Sequence, residues 1–444
     1  MHIICLDCGA SFLKGALMED GKILRQEQWP TPAVMGDDIL KSRQVEKLVS
    51  RVFDIISDLS EGVDEAVLAI ANEMHGFLLA RNDGSLYTDY ISWQKEFGRI
   101  EVDGESSVGL LGQKNFQKAV CVTGMPLRSG LPSSNLLYLK RTGILQIEER
   151  LQFFTLGDYL LYRLSGKVPV CHPTNAAATG LYDLESGQWQ PLLLNTVATN
   201  RIIFPQVTGA VQVMEFTLCG TRISALPALG DQQASLYGAG LASEGEVSFN
   251  LGTGAQVSSL LPRENMKELY GERKYQIRPY MEGRYIRTIP HLPSGRALNV
   301  YFRLVKSVLG GCGCNCADAE IWNMILASAA NGQVGDLATD LSFFENSVTG
   351  RVTGSITNIS ETNFFMGNLF SSVFRQMGNN FLWAARELGM DLPQKIIFSG
   401  GVARKIEILR RNIQNGMGGN VQIYVAENET MHGLCKYAVK LFAK

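Results

Sequence analysis

Apolar residues open the chain in short runs separated by turn signals. His2 to Leu6 reads as one strand ending at Asp7, and Ser11 to Met18 as a second. The small residues Cys8, Gly9 and Ala10 lie between them, where the chain bends most sharply. Glu19-Asp20-Gly21-Lys22 is a tight-turn signal, because Asp-Gly supplies the positive φ that a type I′ hairpin needs. Ile23 to Trp29 then reads as a third strand, so three antiparallel strands are predicted. Across residues 37–59 the apolar positions Ile39, Leu40, Val45, Leu48, Val49, Val52, Phe53 and Ile56 recur at spacings of three and four, which predicts a helix. Residues 65–71 form a short apolar strand, and Asn82-Asp83-Gly84 marks another hairpin. Glycines and prolines break every run between 94 and 150, and no element is assigned there. Residues 153–164 read as a helix stopped by Ser165-Gly166.

The opening plan then repeats. Val247 to Leu251 runs into Gly252-Thr253-Gly254 and on to a strand at 255–261. A long helix is predicted for 363–388, with Phe370, Val373, Phe374, Met377, Phe381 and Leu388 on one stripe. A strand at 395–398 ends in Ser399-Gly400-Gly401. A strand at 421–425 and a closing helix at 431–442 follow. The break between the repeats falls near Gly238 to Gly245, with no Pro/Gly/Ser-rich linker. The expectation is an α/β chain of two packed halves, 1–240 and 241–444, with a cleft between them.

Composition narrows the function classes. The 444 residues are 45% hydrophobic and 19% charged, which excludes general disorder. The net charge is −2, so no basic excess exists to hold nucleic acid. No apolar run reaches the roughly 18 to 20 residues that spanning a membrane takes. The first residues carry no basic stretch ahead of an apolar one, so no secretory signal is expected. Nine cysteines in such a chain point to reduced thiols and a cytoplasmic location.

Four segments can carry chemistry. Asp7 to Lys14 places an acid at a strand end, then small residues, then a lysine on the next strand. Small residues let backbone N–H groups approach phosphate oxygens, the acid can hold Mg²⁺ through water, and lysine supplies a point charge. An ordinary hairpin with an exposed lysine is the plainer alternative. Asn250 to Gly254 offers a second such turn. Ser399 to Arg404 follows a strand and opens a helix, where a nucleotide can meet backbone N–H groups. Asp231, in Gly230-Asp231-Gln232-Gln233-Ala234, is either a general base, a helix N-cap, or both. Cys312, Cys314 and Cys316 alternate, but a structural zinc site takes four ligands and no fourth is near, so a thiol-rich loop without function is expected.

In this order and spacing the segments resemble the FGGY carbohydrate kinases, of the actin/hexokinase/heat-shock-70 ATPase superfamily, over nearly the whole chain. Asp7 to Lys14 resembles the first phosphate motif, Asn250 to Gly254 the second, and Ser399 to Arg404 the adenosine motif. Met74-His75-Gly76 resembles the Met-His-Gly of ketose kinases. Residues 157–166 and 174–180 resemble further family stretches, and 229–234 the segment of the catalytic base. Residues 249–257, 279–285, 292–299 and 91–94 are most similar to the sedoheptulose kinase branch, and xylulose kinases share Met74-His75.

The resemblance implies two ribonuclease H-like domains, a sugar-binding one at 1–240 and a nucleotide-binding one at 241–444. It implies transfer of the γ-phosphoryl group of ATP, with Mg²⁺, to a primary hydroxyl of a ketose. Asp231 would be the base and would share the metal with Asp7. Glu73, Met74, His75, Trp93 and Asp231 would contact sugar. Ala10, Ser11, Lys14, Gly252, Thr253, Gly254, Gly295, Asn299, Gly400, Gly401, Ala403 and Arg404 would contact ATP. Sedoheptulose is the first candidate acceptor and xylulose the second, and a homodimer is among the assemblies the resemblance admits. Two positions depart from the family: Glu73 replaces the usual Gln, and Lys95 replaces the acid expected after Trp93-Gln94. Both sit where sugar hydroxyls are recognised. A sugar sensor that has lost the chemistry should lack the base or the lysine, yet Asp7, Lys14 and Asp231 are all present. An actin- or chaperone-like ATPase would leave Met74-His75-Gly76 without a role.

Overall fold

Two sheets of matching topology frame the computed structural model, which describes residues 1–32, 44–145, 149–209, 212–333, 335–418 and 421–442. In the first sheet, strand Ile3–Cys8 pairs antiparallel with Phe12–Glu19 and parallel with Glu65–Asn72. Lys22–Pro30 extends one side, and Thr221–Ala225 with Met214–Leu218 the other. In the second sheet, Glu246–Leu251 pairs antiparallel with Ala255–Leu261 and parallel with Lys395–Ser399. Tyr285–Leu292 and Gln276–Pro279 extend one side and Gln422–Val425 the other. Each hub strand is thus buried between a hairpin partner and a parallel partner, which suits its unbroken apolar sequence. The repeat seen in the sequence is this shared arrangement.

The opening hairpin closes at Asp20 and Gly21, with φ of 50° and 76°, the pair of positive values a type I′ turn requires. The helix expected at 37–59 is present as Val45–Ser60, with Leu48, Val49, Val52, Ile55, Ile56 and Leu59 buried; positions 37–43 lie outside the described residues. The long helix spans Met366–Glu387 and the closing one Glu429–Phe442. Residues 94–150 hold short helices, the longest of them Pro132–Arg141.

The helix expected at 153–164 starts later. Leu151–Phe154 is a strand, and the helix is Leu156–Ser165, closed by Gly166 at φ 73°. Thr155 divides the two. Its Oγ1 donates to Asp158 Oδ2 at 2.8 Å, and the buried Cys171 thiol lies beside the same carboxyl. Burial pushes this carboxyl up from 3.8 to about 7. The folded protein therefore holds a proton there that the unfolded chain releases near 3.8. The stability this proton confers is complete below that pH and is lost as pH rises toward 7. Asp158→Asn is expected to remove that slope. Urea unfolding at pH 5 and pH 8 should show wild type losing on the order of 2 to 3 kcal/mol more than the variant. Parallel pH dependences would refute a neutral Asp158.

The two sheets are joined by helices. Asp231–Gly238, from the first half, packs along Glu429–Phe442, from the second. The contact is backbone on backbone: a Cβ on Gly238 would fall inside the carbonyl of Glu429, and one on Gly433 inside that of Ala234. The closing helix also covers the first sheet. Met431, Leu434, Cys435 and Ala438 share a core with Ile3, Cys5, Ala16 and Ala69.

Candidate active site

Both small-residue turns lie at the C-terminal ends of the hub strands. In the first, Gly9 N–H donates to Phe12 O at 3.1 Å, while Thr31 N–H and Oγ1 hold the carbonyls of Ser11 and Gly9 at 3.0 and 2.8 Å. Ala10 and Ser11 stay exposed. Lys14 is the cross-strand partner of Asp7.

The second turn is built from three distant segments. Gly295 N–H and Arg296 N–H donate to the carbonyls of Gly252 and Thr253, each at 3.1 Å. A Cβ on Gly295 would lie 2.9 Å from Gly252 O, and one on Gly400 would lie 2.6 Å from Leu251 O. Gly400 also sits at φ +87°. Only glycine allows both approaches, so Gly252 to Gly254, Gly295 and Gly400 come together as one surface. Thr253, Gly254, Asn299 and Arg404 are exposed around it, Gly401 is half-buried and Ala403 is buried beneath. Arg404 pairs with Glu429 at 3.7 Å.

Asp231 is the first residue of its helix; Gly230 occupies the cap position. The N-cap alternative is therefore incorrect, because the chain enters the helix one residue earlier. Asp231 Oδ1 accepts from Gln232 N–H at 2.7 Å. The family-like stretch at 174–180 props this segment up. Thr174 Oγ1 accepts from Gly230 N–H at 3.0 Å, and Asn175 Nδ2 donates to Asn72 Oδ1 and Ala228 O at 2.9 and 3.0 Å. Asp7 and Asp231 keep some solvent contact, yet both carboxyls are largely desolvated. That desolvation lifts Asp7 from 3.8 to about 6, with Lys14 opposing the rise and Glu429 adding to it. It lifts Asp231 from 3.8 to about 7, and the charge of Asp7 adds to the rise. Two carboxylates close enough to repel each other suit a divalent cation that keeps most of its water shell. Among the described residues no group of three or more His, Cys, Asp or Glu could hold a metal ion. Cys312, Cys314 and Cys316 are exposed free thiols.

Glu73 and Met74 are buried, and Glu73 N–H donates to Cys8 O at 3.0 Å. Met74 covers Gly230, where a Cβ would lie 2.5 Å from its Sδ. His75 stands at φ 63°. Its Nδ1 lies 2.7 Å from Ala178 O and its Nε2 3.2 Å from Arg278 Nη2. The carbonyl fixes the tautomer: Nδ1 carries the proton, and Nε2 accepts from the guanidinium. Trp93 is 43% exposed.

Sequence reasoning missed Arg278. It is buried on strand Gln276–Pro279 and donates through Nη1 to Gln232 Oε1 at 2.7 Å, beside the base. An arginine between apolar neighbours on a short strand was the available signal, since such a charge is rarely buried without a purpose. Arg128 and His291, which hydrogen-bond each other, went unread as well.

A family model described as "FGGY family of carbohydrate kinases, N-terminal domain" matches residues 2–238, just over half of the chain. The chain belongs to the FGGY family. Among solved structures it is similar to a xylulose kinase from Lactobacillus acidophilus (TM-score 0.82, 20% identity, 100% of this chain and 89% of that one). It is similar to a gluconate kinase from the same organism (TM-score 0.81, 20% identity, 100% and 90%). Those likenesses establish the two-domain actin-like ATPase fold. Glycerol kinase from Shewanella pealeana is 26% identical over 274 residues, 57% of this chain and 53% of that protein. The chain matches about a quarter to a half of the length of such curated FGGY relatives.

Proposed function

We propose that this FGGY protein transfers the γ-phosphoryl group of ATP to a primary hydroxyl of a ketose. Sedoheptulose is the first candidate among neutral sugars and xylulose the second. The observation that supports this reading is the electrostatic coupling of Asp231 to Asp7, the acid that leads into the first small-residue turn. Asp231 would take the proton from the acceptor hydroxyl as its oxygen forms the new bond to phosphorus, and ADP would leave with the old one. Phosphoryl transfer asks mainly for positioning and charge stabilisation. Lys14, Thr253 and the backbone N–H groups of Ala10, Ser11 and Gly254 would supply these, with Gly252, Gly295, Asn299, Gly400, Gly401, Ala403 and Arg404 holding the rest of ATP. Mg²⁺ held by Asp7 and Asp231 would offset phosphate charge.

Met74 and His75 would line the sugar site, and Glu73, an acceptor when ionised, would select hydroxyls as donors. Trp93 would give the carbon chain a face to stack on. All nine cysteines are free thiols, which fits a reducing compartment such as the cytoplasm.

The test is an ADP-release assay over sedoheptulose, xylulose, ribulose, fructose and glycerol, with Mg²⁺ or with excess chelator. A ketose should give the highest kcat/KM, chelation should stop turnover, and Asp7→Ala should abolish it. Glycerol as the best acceptor would overturn the ketose assignment, and turnover in chelator would overturn the metal role.

A further inference from the structure

Four nitrogen-bearing side chains meet at the junction of the two halves: His75 and Arg128 from the first, Arg278 and His291 from the second. Arg128 Nη1 donates to His291 Nε2, and Arg278 Nη2 donates to His75 Nε2. Each histidine thus presents a lone pair to an arginine and stays neutral. Desolvation, with the two guanidiniums, lowers His75 well below 6.5 and His291 to about 4. The positive charge of the cluster therefore sits on Arg128 and Arg278, which repel each other.

That charge is poorly compensated. The carboxylates acting on the pair are Asp231, which faces Arg278, and Glu345, which faces Arg128 from an exposed position. Asp231 is already assigned to the acceptor hydroxyl. Arg128 Nε is buried and has no hydrogen-bond partner. A guanidinium donor left unpaired in a desolvated place is costly unless something else meets it. Arg278 is buried as well, but its donors are met by Gln276 Oε1, Gln232 Oε1 and His75 Nε2, so the unmet donor of the cluster is on Arg128. The cluster adjoins the sugar segment, since Met74 Sδ lies 3.9 Å from Arg278 Nη1 and Met74 also covers Gly230.

We propose that Arg128, with the buried charge of Arg278 behind it, forms an anion subsite at one end of the sugar site. The preferred acceptor is then a ketose bearing a carboxylate at carbon 1, the end away from the hydroxyl that meets Asp231. A planar carboxylate matches the two-pronged donor face of arginine, and it supplies the acceptor that Arg128 Nε lacks. This rests on the ketose-kinase reading and adds a charge requirement to it.

2-Keto-D-gluconate and D-fructose make the test pair. They share carbons 2 to 6 and differ in whether carbon 1 is a carboxylate or a hydroxymethyl group. In the ADP-release assay, kcat/KM should favour 2-keto-D-gluconate by about 10- to 100-fold. Arg128→Gln should reduce that ratio at least about tenfold, and Arg128→Lys should keep part of it. Fructose 1-phosphate serves as the second anion; a preference for it over fructose, lost in Arg128→Gln, would support the subsite with a phosphate ester as its occupant. Equal or better use of fructose by wild type, or a ratio indifferent to Arg128→Gln, would overturn the subsite. Thermal stabilisation of wild type without ATP gives a reading that needs neither a folded variant nor turnover. 2-Keto-D-gluconate should raise Tm and fructose should not, and the reverse would overturn the proposal. If no sugar, charged or neutral, stimulates ADP release while 2-keto-D-gluconate still raises Tm, the kinase reading fails and the anion subsite stands.

Discussion

Asp231→Asn is expected to lower kcat by roughly 10² to 10⁴, the usual worth of a positioned base. Asparagine keeps the size of the side chain and an oxygen for the Gln232 N–H, which Asp231 Oδ1 accepts at 2.7 Å. It cannot take a proton from an alcohol. Folding should survive. The carboxyl it replaces is raised to about 7 by desolvation and by Asp7, so the folded state gains nothing from its charge. Removing the charge should leave Tm at pH 8 unchanged or higher. Steady-state kcat beside circular-dichroism melting makes the check. Near-normal turnover would remove Asp231 from the chemistry, and a collapsed Tm would show that its role is structural.

Gly433→Ala should cost about 3 kcal/mol or more of stability, at the severe end for a single methyl group. The new carbon would meet the carbonyl of Ala234. Backbone inside a packed helix cannot swing away as a side-chain tip can, so the helices must separate along their length. Gly310→Ala provides the contrast. It lies in helix Gly295–Gly311 with open space around its Cβ position, so alanine should be neutral or stabilising by about 0.5 to 1 kcal/mol. Urea midpoints for the two variants measure the difference. Similar midpoints would show that the two helices do not meet at Gly433.

Local signals were legible in the sequence. Asp20-Gly21 specified its turn because the conformation needed is one those residues adopt easily. The turns after both hub strands were legible because small residues follow an apolar run with an acid or an amide at or next to its end. The start of helix Leu156–Ser165 was misread because Phe153 and Phe154 continue the apolar pattern on both sides of Thr155. Periodicity alone cannot separate a four-residue strand from the first turn of a helix. The cap was the better signal there. Helix Pro132–Arg141 escaped because Ser133, Ser134 and Asn135 are buried on it, so the usual contrast of polar outside and apolar inside is absent. The Arg278 cluster was illegible for a different reason. Arg278 reaches His75 across 203 positions and Gln232 across 46. No local pattern encodes a contact made only when two sheets meet.

The closing helix sets a timetable for the nascent chain. Tyr237, on its partner helix, and Lys436 are 199 positions apart. At about 5 to 20 residues per second, the ribosome takes about 10 to 40 s to cover that distance. Until then Ile3, Cys5, Ala16 and Ala69 have no Met431, Leu434 or Ala438 to cover them. The part of the first sheet that the closing helix covers therefore stays open until the last residues are made, while Leu226, Leu229 and Leu236 already cover the rest.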